Sequence, residues 1–288
     1  MHYIFLIHGI GDGTPSDDFS KFGENLAAKF CKERKLTLDD WKDRFKVLPV
    51  LWDDATADAE LSIFKMSFDK DGVAKSDRAL VGGSNFLETA LGLFDTSAWR
   101  YFMTFFVGDV IAYVDEQDNG IRRRVWETIS EQFKDCPDDQ IPEYSIFGHS
   151  LGSVIAYDYM YSILTRGQLF DFKNKPELSA ARLKGLSDGF KNLVTFGSPI
   201  ALFWMRWGDV WPHDFAKLTN PIQGDRRWLN FWCHHDLVAY PLRGYFSDKP
   251  SPGNIEDIKV NTGIAMPWAH TGYWKSRRMV SEISKLFP

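Results

Sequence analysis

Cysteine is scarce in this chain. There are three in 288 residues, Cys31, Cys136 and Cys233, far apart and without a C-x-x-C pair. That spacing excludes a disulfide framework and offers no zinc knuckle, so reduced thiols are the expected state. Positive charge is not in excess either: the net charge is −5. Nucleic-acid binding normally needs a basic surface, so no nucleic-acid partner is expected. The local run Arg122-Arg123-Arg124 reads as a solvated helix face. The opening residues, MHYIFLIHGIG, lack the basic region and small-residue cleavage site of a signal peptide. They read as a first strand, and a cytoplasmic location is expected. The richest apolar stretch, Leu91 to Val114, is interrupted by Asp95, Arg100 and Asp109. Charges at mid-membrane are expensive, so this stretch is expected to be an amphipathic helix and not a membrane span.

What is present is a globular composition, 44% apolar and 25% charged. Aromatic residues are plentiful at 15%, with eleven tryptophans. Period-2 and continuous apolar runs predict strands near 3–7, 45–51, 144–147, 193–197, 228–233 and 256–260. Helical periods fall near 18–35, 118–134, 151–165 and 272–286. Strands alternating with helices imply an α/β fold, a mostly parallel sheet of about six strands flanked by helices. Two excursions are too long for simple crossovers, 54–117 and the aromatic stretch 200–226. No linker divides the chain, so one domain over 1–288 is expected, with 54–117 as an inserted helical lid-like region.

The sequence EYSIFGHSLGSVIAYDYM, residues 143–160, carries the chemistry. β-formers lead into Gly148, and a helical pattern starts at Leu151, so Ser150 is at the apex of a strand-turn-helix. Gly148-His149-Ser150-Leu151-Gly152 matches the G-x-S-x-G nucleophile elbow, whose glycines let strand and helix approach without a β-carbon clash. A serine hydroxyl needs a base to take its proton and a carboxylate behind that base. With this elbow the chain order is Ser, acid, His, which leaves His213, His234, His235 and His270 as bases. His270, in a loop before the final helix, is preferred; His234 and His235 close a strand and read as structural. Among acids, Asp236 lies just past the carboxyl end of an apolar strand and is preferred over Asp209, Asp214 and Asp225. A metal cluster of His234, His235 and Asp236 is disfavoured, because adjacent histidines point apart on a strand. No metal and no cofactor is expected. The oxyanion donors are assigned to the N–H groups of Leu151, after the nucleophile, and Ile10, in the glycine-rich turn LIHGIGDG. His8 in that turn reads as a brace.

With these residues in place, the chain resembles the α/β-hydrolase superfamily of lipases and esterases. Its pattern looks like the catalytic core of the DDHD-domain phospholipases. FLIHGIGD is similar to that family's opening segment, GDVIAYV to its D-V-x-x-Y, GHSLGSVIAYDYM to its elbow with trailing Tyr-Asp, and FGSPIALF to its G-S-P-x-x-L-F. NFWCHHDLVAYPL and HTGYW are similar to its acid and histidine segments. The resemblance implies Ser150 as nucleophile, Asp236 as acid and His270 as base. There is no DDHD tetrad before the acid, so phospholipid preference does not carry over.

The function expected is hydrolysis of carboxylic esters, lipid-like ones first, with a small-molecule ester or lipid as partner and peripheral contact with a membrane surface. A soluble short-chain carboxylesterase is the alternative, and a non-catalytic scaffold the reading from another class. Phe102, Phe105, Phe106, Trp204 and Trp207 are expected to line an acyl pocket beneath a lid formed by 82–114 and 202–211; the plain alternative is that they are core.

Overall fold

The inner strands of this chain are short runs of β-formers buried on both faces, whereas the last strand, Ile255–Lys259, is Ile-Glu-Asp-Ile-Lys with Glu256 and Lys259 exposed. A computed structural model describes residues 1–9, 17–52, 120–165, 178–203, 224–246, 255–264 and 268–288, with single positions at 66, 107, 110, 111, 113, 114 and 222. In chain order the elements are β1 (His2–Ile7), α1 (Asp17–Arg34), α2 (Leu38–Arg44), β2 (Phe45–Val50), α3 (Gly120–Gln132), β3 (Tyr144–His149) and α4 (Leu151–Leu164). There follow α5 (Ala180–Gly189), β4 (Phe190–Phe196), α6 (Ile200–Phe203), β5 (Arg227–Trp232), α7 (Arg243–Phe246), β6 (Ile255–Lys259) and α8 (Trp268–Thr271). A 3₁₀ turn at Gly272–Lys275 leads into α9 (Arg277–Ser284).

The six strands form one sheet in the order β2-β1-β3-β4-β5-β6, and every neighbouring pair is parallel. The six predicted strands all appear. The order reverses between β1 and β3, because the chain runs outward to β2 and then returns to the other side of β1. Open α/β sheets bind ligands at the carboxyl ends of strands beside such a reversal.

Side-chain alternation sorts β1 onto the two faces. Phe5 and Ile7 join the core under α3 and α4, whereas Ile4 and Leu6 join the core under α1 and α9. Phe5 packs edge-on against Phe133 and Tyr144, at centroid distances of 5.7 and 5.9 Å. Helix α4 is apolar on every side, and Leu151 to Ile163 are all buried. It lies across β3, β4 and β1 with α3, α5 and α6 around it. A helix so enclosed fixes whatever its first residue carries.

Three local readings change. Helices α2 and α5 were not predicted; each is capped, Thr37 accepting from the Asp40 amide (3.1 Å) and Ser179 from the Arg182 amide (3.0 Å). The single helix expected at 272–286 is instead a 3₁₀ turn and then α9, because Ser276 caps a fresh helix through the Met279 amide. Arg122 is not on a solvated face: it is 5% exposed, and its Nη2 donates to Asp158 Oδ2 at 3.3 Å. Tyr113 donates to the same oxygen, so Tyr113 is joined to α4 by a buried polar cluster. Apart from the single positions 66, 107, 110, 111, 113 and 114, the lid-like region 54–117 lies outside the described residues. Among those residues no helix is long and apolar enough to cross a membrane.

Candidate functional site

Four turns at the carboxyl edge of the sheet carry the candidate residues. His8 and Gly9 follow β1, Ser150 follows β3, Asp236 follows β5, and His270 is in α8 beyond β6. Ser150 is at φ 52°, ψ −130°, a backbone region that non-glycine residues rarely occupy. Such strain costs about 1–3 kcal/mol and persists only where the surroundings over-determine it. Here the Ser150 N–H donates to Phe196 O (3.0 Å), while its carbonyl accepts from the Ser153 amide (2.9 Å) and Ser153 Oγ (2.5 Å). Ser153 Oγ also meets Ser198 Oγ at 2.7 Å, which ties the end of β4 to the elbow.

The two glycines of the motif are needed for close approach. A Cβ on Gly148 would stand 2.6 Å from Gly152 O, and one on Gly152 would stand 2.5 Å from Ile7 O. Helix α4 therefore starts hard against the ends of both β3 and β1. The turn after β1 closes on the serine as well, since a Cβ on Gly9 would stand 3.1 Å from Ser150 Oγ.

The structure brings Ser150, His270 and Asp236 together. Ser150 Oγ is 2.7 Å from His270 Nε2, and His270 Nδ1 is 2.9 Å from Asp236 Oδ2. A carboxylate only accepts, so Nδ1 carries the proton and Nε2 is left to accept from the serine hydroxyl. All three are buried, at 0, 2 and 3% exposure. Burial pushes the Asp236 carboxyl up, but hydrogen bonds from His270, Tyr273 and the Val238 amide outweigh it and hold the pKa below the ordinary carboxylate value. Leu151 N–H, at the first position of α4, is among the amides that have no partner within a helix.

Other candidates are placed elsewhere. Asp225 is exposed and bonds Lys191 (3.0 Å), ahead of the amino end of β5. His234 and His235 are exposed in the turn after β5, not at the end of the strand, while Asp236 beside them is buried. His8 braces its turn: Nδ1 is 2.8 Å from Gly9 O, its ring stacks on Trp52 (5.3 Å), and Trp52 Nε1–H donates to His8 O (3.0 Å). Ile10, Phe102, Phe105, Phe106, Trp204, Trp207, Asp209, His213 and Asp214 lie outside the described residues.

Two residues of the site were not foreseen. Tyr273 donates its hydroxyl proton to Asp236 Oδ2 (2.9 Å) and accepts the Cys233 N–H (2.9 Å). His149, beside the serine in sequence, turns the other way and donates Nε2–H to His270 O (2.8 Å). Burial, reinforced by the nearness of His270, pushes its pKa down to about 3, so it is a neutral donor. In HTGYW the signal was a tyrosine three residues after His270; for His149 there was none.

No protein-family model matches the chain, and no curated protein is found similar to it.

Proposed function

We propose that the chain is a serine hydrolase of the α/β-hydrolase plan that cleaves carboxylic esters through an acyl-enzyme on Ser150. The observation that carries this reading is the unbroken hydrogen-bonded line from Asp236 through His270 to Ser150. The elbow strain at Ser150 and the strand order around it support the same reading.

In this reading Ser150 Oγ attacks the acyl carbon as His270 Nε2 takes the hydroxyl proton. Asp236 holds the Nδ1 proton in place and stabilises the imidazolium. The oxyanion is taken by the Leu151 N–H and, from the glycine turn, the Ile10 N–H. His270 then returns its proton to the departing alkoxide. Water enters by the same route, giving its proton to Nε2 as it attacks the ester carbon, and Ser150 leaves protonated.

A lipid-like ester is the substrate class proposed. Support comes from the segments that carry Asp236 and His270: Leu237 beside Asp236, Trp268 two residues before His270 and Ile264 in the preceding loop are 65, 54 and 83% exposed. Large apolar side chains left in water on the segments that bear the acid and the base suit an acyl chain or a lipid surface.

A fluorophosphonate probe, which phosphonylates an activated serine, tests the central claim. The wild-type protein should be labelled and turn over p-nitrophenyl esters, and Ser150→Ala should fold yet do neither. Labelling retained in Ser150→Ala would overturn the reading.

A further inference from the structure

We infer that Tyr273 is a positioning residue for the acid of the site, fixing the Asp236 carboxylate so that Oδ2 faces His270. This inference rests on the reading of Ser150, His270 and Asp236 as a triad. The phenol is wholly buried, and its two bonds define its direction. The Cys233 N–H can only donate, so it takes a lone pair of the phenol oxygen at 2.9 Å. The phenolic proton is thereby left for Asp236 Oδ2, also at 2.9 Å. That oxygen is the one His270 Nδ1–H uses, while Oδ1 accepts the Val238 N–H at 3.2 Å. Each carboxylate oxygen is thus held by a donor besides the histidine. Tyr273 and His270 stand three residues apart, on α8 and the turn continuous with it, so base and acid clamp move together.

The consequence is chemical as well as geometric. A phenol sharing Oδ2 draws electron density from the acceptor that must stabilise the imidazolium. Without it Oδ2 relies on His270 alone and attracts the imidazolium more strongly, which moves the acid limb of the turnover profile to higher pH. The lost clamp also lets the carboxylate rotate, so turnover falls. The titratable groups facing Tyr273 are Asp236 and Cys233 from the β5 turn, His149 from the elbow (6.0 Å between rings) and His270 from its own segment. His8 acts on His149 from the turn after β1, and His234 and His235 are exposed.

The test is the pH profile of kcat/KM on a p-nitrophenyl ester, for wild type, Tyr273→Phe and a protein carrying 3-fluorotyrosine at 273. The fluorinated phenol is a stronger donor of nearly the same size and covers the case in which Tyr273→Phe fails to fold. Tyr273→Phe should lower kcat about ten- to a hundredfold, the scale of a hydrogen bond to a charged group, with KM little changed. Its acid limb should move to higher pH, and that of the fluorotyrosine protein to lower pH. Acid limbs that stay in place, with activity lowered equally at every pH, would show that Tyr273 is only structural. Ser150→Ala is run alongside. If that variant keeps its turnover, the triad reading fails by itself, whatever the Tyr273 proteins do.

Discussion

Replacing Asp236 with asparagine tests the site at the point where geometry and charge are most tightly joined. In the native site Oδ2 accepts from His270 Nδ1 and Tyr273 at 2.9 Å each, and Oδ1 accepts from the Val238 amide at 3.2 Å. An asparagine of the same shape has one donor end and one acceptor end. With its NH₂ at the Oδ2 position, two donors meet a donor, and His270 escapes the clash by moving its proton to Nε2. That tautomer points a proton at Ser150 Oγ and cannot act as base. With the NH₂ at the Oδ1 position it faces the Val238 N–H instead, and the negative charge that stabilises the imidazolium is still lost. Both outcomes remove the driving force for proton transfer, and kcat should fall by about 10⁴. That is about 5.4 kcal/mol of transition-state stabilisation. The assay is kcat on p-nitrophenyl butyrate with thermal melting in parallel, since a shape-preserving change should leave the protein folded. The matching control is Asp225→Asn, whose exposed carboxylate bonds half-buried Lys191 and should not affect turnover. A mild Asp236→Asn beside a damaging Asp225→Asn would refute the reasoning.

Acid should destabilise the fold through His149: the native state resists a proton that the unfolded chain takes up below 6.5, so stability falls as pH drops from 6.5 toward about 3. His149→Gln removes that titration and should flatten the slope by up to about 1.4 kcal/mol per pH unit, read from urea unfolding at several pH values; an unchanged slope would refute it. Gly152→Ala drives a methyl to 2.5 Å from Ile7 O and should destabilise by about 1–3 kcal/mol, whereas Gly120→Ala, with nothing within 4 Å, should be tolerated. With p-nitrophenyl esters from acetate to palmitate, kcat/KM should rise with chain length, and replacing Phe102, Phe105 and Phe106 by serine should remove only the long-chain advantage. Equal loss on acetate, with a lower Tm, would identify those residues as core.

The inner strands were legible because the sheet there is buried on both faces and each is a compact apolar run; edge strand β6, Ile-Glu-Asp-Ile-Lys, carries a weaker signal. Ser150, Asp236 and His270 were legible for a different reason: the elbow fixes one position and the chain order of partners restricts the others. What escaped depends on tertiary meetings. Tyr273 is 37 residues from Asp236, and His149 is 121 residues from His270, so no local period links them. Helix α2 is only seven residues long, too short to display a 3.6 period, although its Thr37-x-x-Asp40 capping pattern was present. Arg122 was misread because a triple arginine resembles a solvated face. The counter-signal was Asp158, a lone charge within the apolar run of α4, since a buried carboxylate requires a partner.

The division of labour between His149 and His270 follows from their partners and not from their residue type. Both imidazoles are buried, and their rings are 4.9 Å apart. The proposed reaction needs a positive charge to appear on one of them only, because two imidazolium ions at that separation would repel each other. Asp236 bonds His270 directly, while its charge reaches His149 only across space and is outweighed there by burial. His149 Nε2 faces a backbone carbonyl, which accepts a hydrogen bond but supplies no full negative charge, and burial pushes its pKa down to about 3. It therefore remains neutral at any pH where the ester reaction would run. Its bond to the His270 carbonyl holds the backbone of the proposed base, while Tyr273 and the Val238 amide hold the acid. One carboxylate, one imidazole poised to gain a proton and a second that stays uncharged is the charge arrangement the proposed ester cleavage requires, since it leaves no uncompensated ion in the buried site.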